Sequence, residues 1–187
     1  MTLAPLEPPY GPEVQEFIAK WMPPGFPHPP LALFRLLGQH IDLASRLTPM
    51  ASGLLNNGQL PPFDREVLIA RITGRLGAEY EWGIHALRYA PKAGLSPEVL
   101  GATVHGRPDD PAFDPTAALL VRVADELLDD GRLSAPTLAE LAAGHTTAQI
   151  VEVHLLCGWY RTLSTLMLSA DLPIEPWADR FPAAPPG

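Results

Sequence analysis

At 187 residues, 47% of them apolar and 18% charged, the chain is long enough to bury one hydrophobic core and has the composition of a globular domain. Its formal net charge of −8, from 21 acids against 13 scattered bases, argues against a nucleic-acid partner, because the electrostatic term that dominates such binding is repulsive here. With no run near the roughly 18 apolar residues of a membrane span, no secretory pattern in MTLAPLEPPYGPE and a single cysteine, Cys157, the expectation is a cytoplasmic protein with no membrane partner.

Proline punctuates the chain, with 23 residues placed mostly between segments. Residues 1–30 read as a proline-rich arm, extended at first and then carrying one short helix, roughly Glu13 to Met22, which PPGFPHPP stops. Residues 31–172 read as a helical domain and 173–187 as an irregular tail. In LALFRLLGQHIDLASRL, residues Leu31, Phe34, Leu37, Ile41, Leu43 and Leu47 recur at helical spacing. Thr48-Pro49 has the form of an N-cap with proline at the first helical position, opening a further short helix to about Leu55. NNGQLPP is a turn. Helices follow over about Asp64–Leu76, stopped by Gly77, and over about Ala78–Lys92, ending at Gly94 with Pro91 weakening the last turn. Ser96-Pro97 and Asp114-Pro115 each open a helix, the second ending near Asp130, and Ser134 opens another. Thr146 with Gln149 forms a capping-box pattern ahead of the long apolar helix QIVEVHLLCGWYRTLSTLMLS. No segment reads as a strand and no repeat recurs at a fixed period. The fold class is all-α.

The stretch GAEYEWGIH, residues 77–85, concentrates the chemistry. Glu81 and His85 are four apart and share a helix face. Glu66 lies one turn into the preceding helix, and a linker of one glycine implies a tight or sharply bent helix pair that brings Glu66 toward that face. A carboxylate bonded to an imidazole orients it and raises its pKa, and a second carboxylate nearby suits proton shuttling near neutrality. On spacing alone, the same pattern also serves simply to stabilise a helix. Tyr80 and Trp82 are placed to line a pocket. Among the histidines, His40, His85 and His154 fall on separate predicted helices, yet there is no His-Glu-x-x-His and no paired Glu-x-x-His, so no metal is expected. His28 and His105 read as loop residues and His145 as a surface or capping residue. Trp159, Tyr160, Leu163 and Leu166 read as packing. Arg71, Arg75 and Arg88 lie close in sequence without forming an obligatory dicarboxylate clamp.

The segment LNNGQLPPFDREVLIARITGRLGAEYEWGIHALRYAPKAGLS resembles the core of the carboxymuconolactone decarboxylase and AhpD-like (alkylhydroperoxidase D-like) family. The likeness spans about residues 30–105, and GWYRTLSTLM is similar to the family's last long helix. It implies an AhpD-like helical bundle assembled as a homo-oligomer, a trimer or hexamer. The peroxidase branch carries a glutamate, eleven residues, Cys-x-x-Cys, three residues and a histidine. Here Glu66 and His85 match the glutamate and histidine, Ala78 and Glu81 occupy the cysteine positions, and Tyr80 stands where that branch often has a further histidine. Thiol chemistry needs an attacking and a resolving sulfur, and Cys157, alone in an apolar run, reads as core. The lactone decarboxylase branch uses neither metal nor organic cofactor. The resemblance to it implies Glu66 as base or orienter, His85 as its partner, Glu81 as a second proton-transfer group, and Tyr80 and Trp82 as pocket walls. The expected activity is cofactor-independent acid/base chemistry on a small organic carboxylate or lactone. The alternatives are a hydroperoxidase-like antioxidant protein of altered chemistry and a non-catalytic ligand-binding or structural relative.

Overall fold

Four of the five caps that the sequence predicts are present in the computed structural model, which describes residues 3–22 and 25–184. Pro23 and Pro24 of the predicted break, the first two residues of the arm and the last three of the tail lie outside the described residues. All regular structure among the described residues is helical, with no strand. The chain forms two compact units, one comprising Met1–Gly58 with Met167–Pro176 and the other Gln59–Leu166 with Trp177–Gly187. The division falls at Gly58 rather than at residue 30, so the helical domain expected over residues 31–172 contributes to both units.

The first unit contains α1 (Pro12–Trp21), α2 (Ala32–Leu37), a 3₁₀ turn (Gly38–His40) and α3 (Ile41–Asn56). The helix break expected at Thr48-Pro49 lies instead at Gly38–His40, and Pro49 sits inside α3. Thr48 lies inside α3 rather than at a helix start, its hydroxyl donating to the Ala44 carbonyl at 3.3 Å and accepting the Trp21 indole N–H at 2.9 Å. His40 caps α3 instead, its Nδ1 accepting the Leu43 N–H. An interior proline costs about 3 kcal/mol; the helix that carries it packs on α1, with Ala44 buried against Phe17 and Ile18. The arm before α1 is extended and held on α2: Leu6 N–H donates to the Arg35 carbonyl at 3.2 Å, and the Arg35 guanidinium donates back to the Leu6 carbonyl at 2.9 Å.

The second unit is built around α4 (Pro62–Arg75), whose Val67, Leu68, Ile69 and Ile72 have no exposed surface. Such side chains stabilise by roughly 1.5–3 kcal/mol each when buried. Around α4 pack α5 (Glu79–Arg88), α7 (Pro97–His105) and α8 (Pro115–Asp129), with the short α6 (Ala90–Ala93) after α5. α9 (Ala135–Gly144) and the long α10 (Thr147–Ser169) follow. Pro91 does more than weaken α5: the helix stops at Arg88, and the proline stands in the first turn of α6. Side-chain caps hold the starts of α7 (Ser96 to Val99 N–H, 3.3 Å), α8 (Asp114 to Ala117 N–H, 2.7 Å) and α9 (Ser134 to Thr137 N–H, 3.4 Å). The capping box forms at α10, where Gln149 accepts the Thr146 N–H at 2.8 Å and Thr146 accepts the Gln149 N–H at 3.3 Å. No helix among the described residues is long and apolar enough to cross a membrane.

Arg71 ties α4, α7 and α8 together. It makes a two-pronged ion pair with Asp125, both bonds 2.7 Å, and donates to the Thr103 and Gly106 carbonyls. Arg75 pairs with Asp125 and Asp129. These two arginines are thus spent on the α4–α8 interface rather than turned toward a substrate.

Candidate active site

The turn between α4 and α5 decides what meets what. Gly77 adopts a φ of 72°, its N–H reaches the Gly74 carbonyl, and the Ala78 N–H reaches the Thr73 carbonyl. This pair of bonds is a Schellman motif, which glycine favours because a side chain in the left-handed region is strained. It reverses the chain within a few residues and lays α5 on α4, as the single-glycine linker predicts. Glu66 on α4 and His85 on α5 are brought face to face, and both are almost fully buried.

His85 Nδ1 lies 2.7 Å from Glu66 Oε2. The other Glu66 oxygen, Oε1, accepts the Arg65 Nε–H at 2.9 Å. Glu81, one turn before His85, places Oε1 3.6 Å from His85 Nε2 and is itself buried. Burial works against charge on His85, but the Glu66 carboxylate's charge and hydrogen bond, followed by those of Glu81, outweigh it and push the imidazole up to about 9. Burial likewise raises Glu66, yet His85 and Arg65 together hold it below the ordinary carboxylate value. At neutral pH the pair is therefore imidazolium and carboxylate, so His85 carries a proton to give and Glu66 orients it. The three residues read from the sequence thus converge.

The structure adds a residue that the sequence reading assigned to packing. Tyr160, buried on α10, sets its hydroxyl 3.1 Å from His85 Nε2 and its ring edge-on to the imidazole at 5.2 Å. Its neighbours Trp159 and Leu163 are buried as expected, but Tyr160 has a partner for its polar end. That need was the one available signal, because a buried tyrosine hydroxyl usually requires a hydrogen bond. Tyr89 stacks on His85, with ring centres 4.8 Å apart and planes 28° from parallel.

The expected pocket walls fare differently. Tyr80 is buried. Trp82 is given over to packing: its indole N–H donates to Thr103 at 3.3 Å, its ring meets Phe181 edge-on at 5.3 Å, and it forms a cluster with Ala70 and Ala86. The tail segment that supplies Phe181 runs close over α5. The Asp179 N–H bonds the Gly83 carbonyl, Glu79 accepts the Phe181 N–H at 2.8 Å, and His105, expected in a loop, ends α7 and meets the Pro182 carbonyl at 2.8 Å.

The remaining candidates sort by burial. Cys157 is buried, and burial pushes its thiol up to about 12, a poor nucleophile. His154, the base that Cys157 would need, is exposed and bonded to the Ile150 carbonyl. His145, expected as a surface or capping residue, is the C-cap of α9, and it has a distant partner as well. It is partly buried against Asp64, Nε2 to Oδ2 at 2.8 Å, while Nδ1 meets the Leu141 carbonyl at 3.1 Å. It thereby fastens the approach to α10 onto the first turn of α4. Among the described residues no group of three or more His, Cys, Asp or Glu is arranged to hold a metal ion.

Compared with known proteins, the sequence matches no protein-family model and no curated protein.

Proposed function

We propose that this chain is a cofactor-independent acid/base enzyme, similar in fold and chemistry to the AhpD-like carboxymuconolactone decarboxylases, acting on a small organic carboxylate or lactone. The observation that carries the reading is the buried Glu66–His85 pair at 2.7 Å with Glu81 beside the other ring nitrogen at 3.6 Å. Stability alone gives little reason for it. A buried ion pair is often no more stabilising than apolar side chains of the same volume, because desolvation consumes most of the attraction. A protonated imidazole held by a carboxylate, with a second carboxylate and a phenol at its other nitrogen, is instead suited to giving and retaking a proton. The thiol-based alternative is disfavoured by the burial of Cys157 and by Ala78 and Glu81 at the positions where peroxidases carry cysteines. A homo-oligomer, trimer or hexamer, accompanies the AhpD-like reading and is measurable by sedimentation.

The test is CO₂ release from carboxymuconolactone by the purified protein. Turnover is expected in the wild type and in Cys157→Ser, and is expected to be lost in Glu66→Gln and His85→Ala while both variants remain folded by circular dichroism. Full activity in those two variants would remove the assignment. Hydroperoxide turnover that disappears in Cys157→Ser would move the chemistry to α10.

A further inference from the structure

His85 is gripped at both nitrogens, and the grip is asymmetric. Nδ1 faces the Glu66 carboxylate at 2.7 Å. An ionised carboxylate only accepts, so Nδ1 carries hydrogen whether the ring is neutral or charged. Every change of charge on His85 therefore takes place at Nε2, where Tyr160 is the hydrogen-bond partner at 3.1 Å. When the ring is neutral, Nε2 offers a lone pair and the Tyr160 hydroxyl donates to it. When the ring is charged, Nε2–H is the donor, the phenol oxygen is the acceptor, and the Tyr160 proton is turned out of the bond. The direction of this one hydrogen bond reverses with the charge of His85.

Resting on the acid/base reading above, we propose that Tyr160 is a catalytic residue, the proton donor that meets the substrate, recharged by His85 Nε2 in a Glu66–His85–Tyr160 relay serving a conjugated lactone carboxylate. In the step, the carbon–carbon bond to the carboxylate breaks and CO₂ leaves. The electron pair runs through the conjugated double bond to the lactone carbonyl and forms a dienolate. The Tyr160 proton passes to a carbon of that dienolate, the Nε2 proton passes to the Tyr160 oxygen, and a proton from solvent restores the imidazolium. One carboxylate and one proton become CO₂ and a new C–H bond, and Glu66 keeps its charge throughout.

The surroundings require the two transfers to be concerted. Burial first, then the Glu81 and Glu66 charges, place the Tyr160 phenol well above its ordinary value, so a free phenolate is costly and must receive the Nε2 proton as it forms. The charged and titratable groups facing the ring are Glu66 on α4, Glu81 on α5, Tyr89 just after α5, and Tyr160 on α10, with Arg65 against the far oxygen of Glu66.

Nuclear magnetic resonance of the full chain labelled with ¹³Cζ-tyrosine and ring-¹⁵N-histidine decides whether the relay exists, independently of any substrate. The Tyr160 Cζ signal is expected to titrate with the same midpoint as His85 Nε2. Tyr160→Phe, which keeps the ring, is expected to lower the His85 midpoint by about one pH unit, the difference between losing a hydrogen bond to the charged ring and losing one to the neutral ring. A Tyr160 signal that stays flat while His85 titrates overturns the relay. With carboxymuconolactone as probe, Tyr160→Phe is expected to lower kcat about 100-fold with little change in KM, and turnover at the wild-type rate overturns the donor role. A wild type that shows the coupled titration yet releases no CO₂ supports the relay and overturns the lyase reading.

Discussion

Glu66→Gln removes one charge and leaves the shape of the side chain, so it isolates what the carboxylate does to His85. In the wild type, burial pulls the imidazolium down while Glu66, and secondarily Glu81, push it up to about 9, against an ordinary value of 6.5. At about 1.4 kcal/mol per pH unit, that displacement represents on the order of 3 kcal/mol of coupling between the fold and the charged ring. Because the folded value lies above the unfolded one, this stabilisation is complete below about pH 6.5 and is lost as the pH rises through about 9. Glu66 has the opposite sign: its value is lowered from 4.5, so its contribution is present above that pH and fades as the solution becomes more acidic. The pair is strongest between these limits. In Glu66→Gln, the His85 midpoint measured by ring-¹⁵N resonance is expected to fall to its ordinary value or below. Urea unfolding is expected to show a deficit of about 3 kcal/mol near pH 6 that narrows above pH 9. A midpoint that stays near 9, or a deficit equal at both pH values, would refute the claim that Glu66 holds the charge on His85.

Other parts of the second unit give equally direct tests. Arg71→Leu leaves Asp125 and the Thr103 and Gly106 carbonyls without their buried donor, and should cost about 3–5 kcal/mol by urea unfolding. A loss under 1 kcal/mol would show that solvent replaces the guanidinium. Gly83→Ala would set a Cβ 2.1 Å from the Asp179 carbonyl oxygen, so hydrogen exchange at residues 179–181 should accelerate while that of α4 is unchanged. Unaltered exchange in the tail would mean that the close approach is not kept in solution. Cys157, pushed up to about 12 by burial, should resist a disulfide reagent at pH 8 in the native protein and react fully in urea. Rapid native labelling would contradict its burial.

Much of the helical plan was legible in local sequence because its determinants are local. Ser96, Asp114, Ser134 and the Thr146/Gln149 box need only the next few residues to act as caps, and Gly77 needs only its own φ. Thr48-Pro49 misled because α3 continues through it, and the Trp21 indole that meets the Thr48 hydroxyl there lies 27 residues away. His145 was legible as a cap, but its second partner, Asp64, was not, being 81 residues distant.

The candidate site divides along the same line. Glu66, Glu81 and His85 could be read from the sequence because helical periodicity aligns Glu81 with His85 and a one-glycine turn brings back Glu66. Which of them holds the proton depended on burial, a property of the whole packed unit that sets desolvation against the facing charges. Trp82, adjacent to Glu81 in sequence, went to packing because the tail segment lies over its helix. Tyr160, 75 residues from His85, reached the imidazole because the folding of the second unit sets α10 beside it. The sequence by itself determined an all-α chain and an acid–imidazole pair, since caps, periodicity and a tight turn act over a few residues. Only the tertiary structure decided which side chain meets the far nitrogen of His85, because that contact follows from the packing of distant helices.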